Sequence, residues 1–265
     1  MIVAAAPPPV VRDAQIAPCD ATPAARTFTL GIRSDGRTRT ALVHVPRKAG
    51  ALPVLLILHF ATGTGPEMAK AFRYSALADR RGFIAVYPTS GHSRGFWNVT
   101  RDPRKPDDVQ FMRDLITALP AKVCANLRRV SATGVSNGAS MTGVLGCAMA
   151  SRLAAIAPVS GGYTTYSRCH PTRPLTAYEV HGTADHVVPY SGVKRFTRVW
   201  RRRNGCNASP HATKLAGGLV RYRWRCTRAP LSHLRLKGRG HFLNYAGLET
   251  SVWNAVRHAT RSPVG

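Results

Sequence analysis

Residues Pro53–Phe60 read PVLLILHF, an unbroken apolar run. A strand with one wet face alternates apolar and polar residues; a run without alternation fits a strand covered on both faces. The same character returns in Phe83–Tyr87, Arg129–Val135, Ala154–Val159 and Leu175–Val180. Between these runs lie segments with helical spacing. Glu67–Arg81 is expected to be one helix ended by Gly82. Asp107–Leu119 carries Val109, Met112, Leu115, Ile116 and Leu119 on one face, Asn137–Ala150 is rich in small residues, and Ser191–Arg203 places Val193, Phe196, Val199 and Trp200 together. Strands separated by helices imply crossover connections, and therefore a mostly parallel sheet with helices on both faces. Thr27–Arg33 and Thr40–Pro46, around the turn Ser34-Asp35-Gly36, open the chain as an antiparallel pair. Val220–Cys226 alternates with Arg221, Arg223 and Arg225, a period-two strand; Leu231–Leu236 is the last strand and Leu248–Ala259 a closing helix. One α/β domain over residues 26–265 is expected, after a lead-in (residues 1–25) with the character of a signal remnant.

Within that frame one motif carries chemistry. Gly134-Val135-Ser136-Asn137-Gly138 matches G-x-S-x-G and sits between an apolar strand and a small-residue helix. That strand–turn–helix setting is what an exposed, activated serine requires. A serine hydroxyl is a weak nucleophile and needs a base and a group that orients the base. Asp185, in the loop after the strand Leu175–Val180, and His241, after Gly238-Arg239-Gly240, follow in the chain order Ser, acid, His. An oxyanion hole needs two N–H donors. Asn137 supplies the first, and Ala61, beside Phe60 in the loop after Pro53–Leu58, is expected to supply the second. His59 belongs to that loop. Asp107 and Asp108 stand at a helix start, where carboxylates favour the dipole, and His181 and His186 read as loop structure or pocket lining. Trp97 and Asn98, on the long loop after Pro88, are candidates to face an aryl or sugar ring. Val187, Val188 and Tyr190 are candidate lining of the same cleft.

These pieces resemble the secreted α/β-hydrolase esterases that include the poly(3-hydroxybutyrate) depolymerase-like family, LpqC-type lipoproteins among them, and the type D feruloyl esterases. The resemblance runs through LLILHFATGT, ALADRRGFIAVYP, Phe96-Trp97-Asn98, DDVQFMRDLI, ATGVSNGASM, APVSG, HGTADHVVPY, RRNGC, GRGH and SVWNAV, about residues 27–260. It implies an α/β-hydrolase fold, a Ser136–His241–Asp185 triad and ester hydrolysis without a cofactor or metal. It also implies the pairings Cys19–Cys124, Cys147–Cys169 and Cys206–Cys226. Two departures stand out. Phe60 and Thr62-Gly63 occupy the oxyanion loop where the family has His-Gly and a Gly-Gly pair, and Phe60 is then a candidate to shape the acyl pocket. Phe242-Leu243-Asn244 replaces the usual Thr-Trp-Pro after the histidine.

Composition limits the alternatives. The six cysteines form no C-x-x-C, which argues against metal knuckles and thioredoxin chemistry and for disulfides in an oxidising compartment. There is no phosphate-binding glycine loop and no H-E-x-x-H. No apolar run approaches the ~20 residues of a membrane-spanning helix. The net charge of +26 is spread along the chain, without a nucleic-acid-binding module. It predicts non-specific attraction to polyanions. The competing expectations are an acetylxylan or aryl esterase of the same fold, and a polyanion-binding protein on an inactive hydrolase scaffold.

Overall fold

The structure, a computed structural model, describes residues 19, 22–163, 168–241 and 245–261. Phe242, Leu243 and Asn244, and most of the expected lead-in, lie outside the described residues. The strands are β1 (Arg26–Ser34), β2 (Arg37–Val45), β3 (Leu52–Leu58), β4 (Ile84–Pro88), β5 (Ala125–Val135), β6 (Ala155–Val159), β7 (Thr176–Gly182), β8 (His211–Lys214), β9 (Leu219–Trp224) and β10 (Leu231–Leu236). They form a ten-stranded sheet in the order β1-β2-β4-β3-β5-β6-β7-β10-β9-β8. The six central strands from β4 to β10 run parallel. β1 and β2 extend the sheet antiparallel at one edge, β9 and β8 at the other.

The apolar run in β3 divides between the two faces. Leu52, Val54, Leu56 and Leu58 join one core, while Leu55 and Ile57 join the other. The first core is closed by α3 (Asp108–Ala118), α4 (Asn137–Ala148) and α5 (Val193–Asn204) through Phe111, Met141 and Trp200. The second is closed by α1 (Gly65–Ala71), α2 (Tyr74–Arg81) and α6 (Leu248–Val256) through Met68, Leu77 and Trp253. Every residue of β3 is buried, which is why the run shows no alternation.

Two expectations about elements are corrected. The single helix over Glu67–Arg81 is two, because Phe72 is extended (φ −125°, ψ 144°) and the Arg73 N–H bonds to Glu249 Oε1 at 3.0 Å instead of continuing the helix. The short outer strand β8 has no apolar pattern and was not anticipated. Half or more of it is exposed, so nothing in its side chains marks it as paired. Disulfides join Cys19 to Cys124, Cys147 to Cys169 and Cys206 to Cys226. Bridges closing loops of this size typically contribute ~2–4 kcal/mol.

Candidate active site

The C-terminal ends of β3, β5, β7 and β10 deliver the site. At the end of β5 the chain reverses into α4 at Ser136, whose backbone sits at φ 57°, ψ −116°. A non-glycine residue there is strained and is held by its surroundings. Both glycines of the motif have a steric reason. A Cβ on Gly134 would lie 2.6 Å from the Gly138 carbonyl, and one on Gly138 would strike the carbonyl oxygens of Leu58 and His59. Strand, helix and the end of β3 thus meet at backbone distance, and Ser136 is pushed outward.

His241 Nε2 lies 2.8 Å from Ser136 Oγ, and its Nδ1 lies 2.8 Å from Asp185 Oδ2. Asp185 Oδ1 accepts the N–H groups of Val187 (3.0 Å) and Val188 (2.8 Å). Burial raises the Asp185 pKa, but the bonds from His241 and Val188 and the charge of His181 outweigh it, and the carboxyl is held below its ordinary range. The loop before His241 is seated on the loop that carries Asp185. Ala184 N–H donates to Arg239 O at 2.9 Å and Gly238 N–H to Thr183 Oγ1 at 2.9 Å. The structure therefore brings Ser136, His241 and Asp185 together from three separate strand ends.

The opposite wall is the loop after β3. Asn137 is the first residue of α4, with its N–H at the positive end of the helix. Among the described residues no acceptor is recorded for the Ala61 N–H, whereas its neighbours are spent: Thr62 N–H bonds to Gly95 O (2.9 Å) and Gly63 N–H to Phe60 O (3.2 Å). Thr62 adopts φ 63°, a conformation costly for a β-branched residue. The Phe60 ring folds over its own turn; a Cβ on Gly63 would lie 3.0 Å from it. His59 is buried and holds this turn. Its Nε2 accepts the Ser90 N–H at 3.0 Å, so Nδ1 carries the proton and donates to Phe60 O at 2.7 Å. Burial lowers its pKa, in keeping with a neutral ring.

Trp97 and Asn98 line the cleft of this loop and also fasten the loop itself. Trp97 is 3% exposed, its indole N–H bonds to His59 O at 2.9 Å, and its backbone N–H bonds to Asn137 Oδ1 at 2.7 Å. Asn98 Nδ2 donates to Asp102 O (2.9 Å) and Pro106 O (3.1 Å), and its Oδ1 accepts the Asp102 N–H (2.9 Å). Both side chains fasten the loop between β4 and α3. The exposed aromatic of that loop is Phe96, which shares a cleft of about 320 Å³ with Trp97, Asn98, His92, Lys105 and Asn137. On the other side Val188 lies against Gly162, 3.6 Å from the position of its missing Cβ, beside Ser140.

Sequence reasoning missed the anchor of this loop. Asp108, buried, accepts the N–H groups of Asn98 (2.7 Å) and Gly91 (3.4 Å) and pairs with buried Arg39 at 2.5 Å. Arg39 also lies 4.0 Å above the Phe111 ring. The helix start itself is capped by Asp107. Only the distance in sequence between Arg39 and Asp108 hid the pair. His181 was also misread. It is fully buried beneath Asp185 and lines no pocket mouth. Among the described residues no cluster of His, Cys, Asp and Glu could hold a metal ion.

No family model matches the chain. It is 27% identical over 236 residues to the bifunctional acetylxylan esterase/xylanase XynS20E of Neocallimastix patriciarum, covering 86% of this chain and 34% of that protein. It is 29% identical over 186 residues to feruloyl esterase B of Piromyces equi, covering 60% of this chain and 34% of that protein. The acetyl xylan esterase structure from Aspergillus awamori superimposes with a TM-score of 0.72 at 19% identity, covering 85% of this chain and 98% of the other. The chain has the α/β-hydrolase fold and is similar to acetylxylan and feruloyl esterases. It spans about a third of the length of the two curated relatives named here. The feruloyl branch of the resemblance thus has a counterpart among these relatives. The polyester branch rests on the sequence motifs alone.

Proposed function

We propose that this protein is a serine esterase that removes small acyl or aryl-acyl groups from plant polysaccharide, working outside the cytoplasm as one catalytic domain. The observation that carries the reading is the unbroken relay Ser136 Oγ, His241 and Asp185, with 2.8 Å at each step. His241 Nε2 takes the Ser136 proton as Oγ bonds to the ester carbonyl carbon. The carbonyl oxygen becomes an oxyanion, stabilised by the N–H groups of Asn137 and Ala61. His241 then protonates the departing alkoxide, and water repeats the sequence in reverse to free the acid and Ser136. Asp185 keeps the Nδ1 proton in place and stabilises the imidazolium. Phe60 and Val188 flank the acyl group, and the Phe96 cleft receives the sugar or aryl portion. The named relatives act on acetylated xylan or carry the feruloyl esterase name, which supports this substrate class. Three disulfides favour an oxidising compartment.

The test is a hydrolysis panel of acetylated xylan, methyl ferulate, p-nitrophenyl acetate and poly(3-hydroxybutyrate), run with the protein and with Ser136→Ala. The variant should fold normally and lose roughly 10³-fold or more of turnover. Equal hydrolysis by both overturns the reading. So does absence of turnover together with absence of fluorophosphonate labelling, the result expected of a polyanion-binding scaffold. A polyester at the top of the ranking would replace the substrate class and keep the mechanism.

A further inference from the structure

Beneath the Asp185–His241 pair lies a second acid–imidazole pair that the hydrolytic scheme does not use. Glu179, on β7, is 0% exposed. Its Oε1 lies 2.9 Å from His181 Nδ1, and its Oε2 lies 2.6 Å from Nδ1 of His233 on β10. The Tyr163 hydroxyl donates to Oε1 at 3.2 Å, and the Tyr190 hydroxyl meets His233 Nε2 at 2.9 Å. On its other side His181 Nε2 is 3.0 Å from Val188 O and 3.2 Å from Asp185 Oδ2. A carbonyl oxygen only accepts, so Nε2 carries a proton. Asp185 Oδ2 is the same oxygen that faces His241 Nδ1. Carboxylate and imidazole alternate from Glu179 through His181, Asp185 and His241 to Ser136.

A buried carboxylate needs a compensating charge. A proton on His181 Nδ1 supplies it and makes the ring an imidazolium between two carboxylates. Burial opposes charge on Glu179, yet His233 and His181 draw its pKa below the ordinary value. Burial opposes charge on His181 as well, yet Glu179, Val188 O and Asp185 lift it above its ordinary value.

We propose that His181, ionised against Glu179, is a positioning residue for the triad. It pins Asp185 Oδ2 under His241 Nδ1, and its positive charge keeps the Asp185–His241 pair less basic than it would otherwise be. The proposal rests on the serine-esterase reading. The groups facing this centre are Glu179 from its own strand, Asp185 and Tyr190 from the following loop, and His233 from β10. Tyr163 reaches Glu179 from the loop after β6. Tyr222 of β9 stacks on His233 at 5.8 Å with Arg235 5.3 Å above it, and His241 stands beyond Asp185. Losing the cation removes an opposite charge from Asp185 and a like charge from the vicinity of His241. Both changes raise the pKa of His241.

The experiment compares the protein with His181→Gln and Glu179→Gln, by pH profiles of kcat/KM on p-nitrophenyl acetate and by ¹⁵N NMR titration of the histidine rings. The acid limb and the His241 pKa should move up by about one pH unit in His181→Gln and in the same direction by less in Glu179→Gln, where an anion is lost with the cation. The plateau kcat should fall by up to about tenfold, with KM unchanged. Folded variants with an unmoved acid limb and an unmoved His241 pKa overturn the proposal. If neither variant folds, the native protein decides: both His181 nitrogens should be protonated at neutral pH, and a neutral His181 ring overturns it. A native protein that hydrolyses no ester defeats the esterase reading alone, because the NMR titration still judges His181.

Discussion

The two walls of the Ser136 cleft are made rigid by opposite means. On one wall β5 turns into α4 within a single strained residue, and the constraint is steric: backbone at Gly134 and Gly138 leaves no room for a side chain. On the other wall the turn after β3 is backed by the chain from Thr89 to Asp107, which has neither strand nor helix. Loops of that length inside a domain are uncommon and need their own fastening. Here the fastening is polar. Asp108, Asn98, Trp97 and His59 tie the loop to β2, to the turn after β3 and to Asn137. A steric device needs few residues, here one short glycine motif set against the end of β3. A polar one gathers partners from distant strands and depends on every one of them.

The sharpest way to break the second wall is Asp108→Ala. It leaves Arg39, 3% exposed, without its carboxylate, at a cost of about 3–5 kcal/mol. Denaturant melts should show that loss, and limited proteolysis should nick the Thr89–Asp107 loop first. Gly138→Ala attacks the first wall. Its Cβ collides with the carbonyls of Leu58 and His59, which predicts about 1–3 kcal/mol and a drop in the fraction of protein labelled by fluorophosphonate, with the loop still resistant to protease. Trp97→Phe is the mildest. It keeps an aromatic ring, smaller than the indole, and deletes the bond to His59 O, so stability should fall by about 1 kcal/mol or slightly more and kcat by a few-fold. Equal proteolysis of the loop in the Asp108 and Gly138 variants would erase the distinction between the walls.

The same contrast explains what could be read from the chain alone. The serine turn, the acid after β7 and the histidine after β10 are legible because each is marked by its neighbours: a glycine motif, a strand end, a glycine-rich approach. The sheet is legible because β3, β4 and β6 bury both faces and so lose their alternation. The Arg39–Asp108 anchor and the Glu179–His181 pair are not. Their partners lie on other strands or inside an otherwise apolar run, and a lone acidic residue in β7 carries no local sign of what it meets. Trp97 and Asn98 do lie on the loop and line its cleft, but the hydrogen bonds by which they also fasten it could not be read from sequence, which shows that a residue is in a loop and not which partners it meets. The break at Phe72 also depends on a distant group, Glu249, that no helical periodicity reveals.

A ten-stranded sheet that does not close into a barrel ends in two outer strands, here β1 and β8. Among the described residues neither has a further strand beside it, and such a margin is a template for strand addition by a second molecule, which proteins commonly blunt with charge. Arg26 and Arg33 stand on β1, Lys214 on β8, and the whole chain carries +26. Any margin-to-margin approach of two copies therefore brings cation against cation. That protection is ionic and fades as the screening length shrinks toward about 3 Å near 1 M salt. Dilute buffer should keep the molecules apart, and concentrated salt is the condition under which their sheets meet.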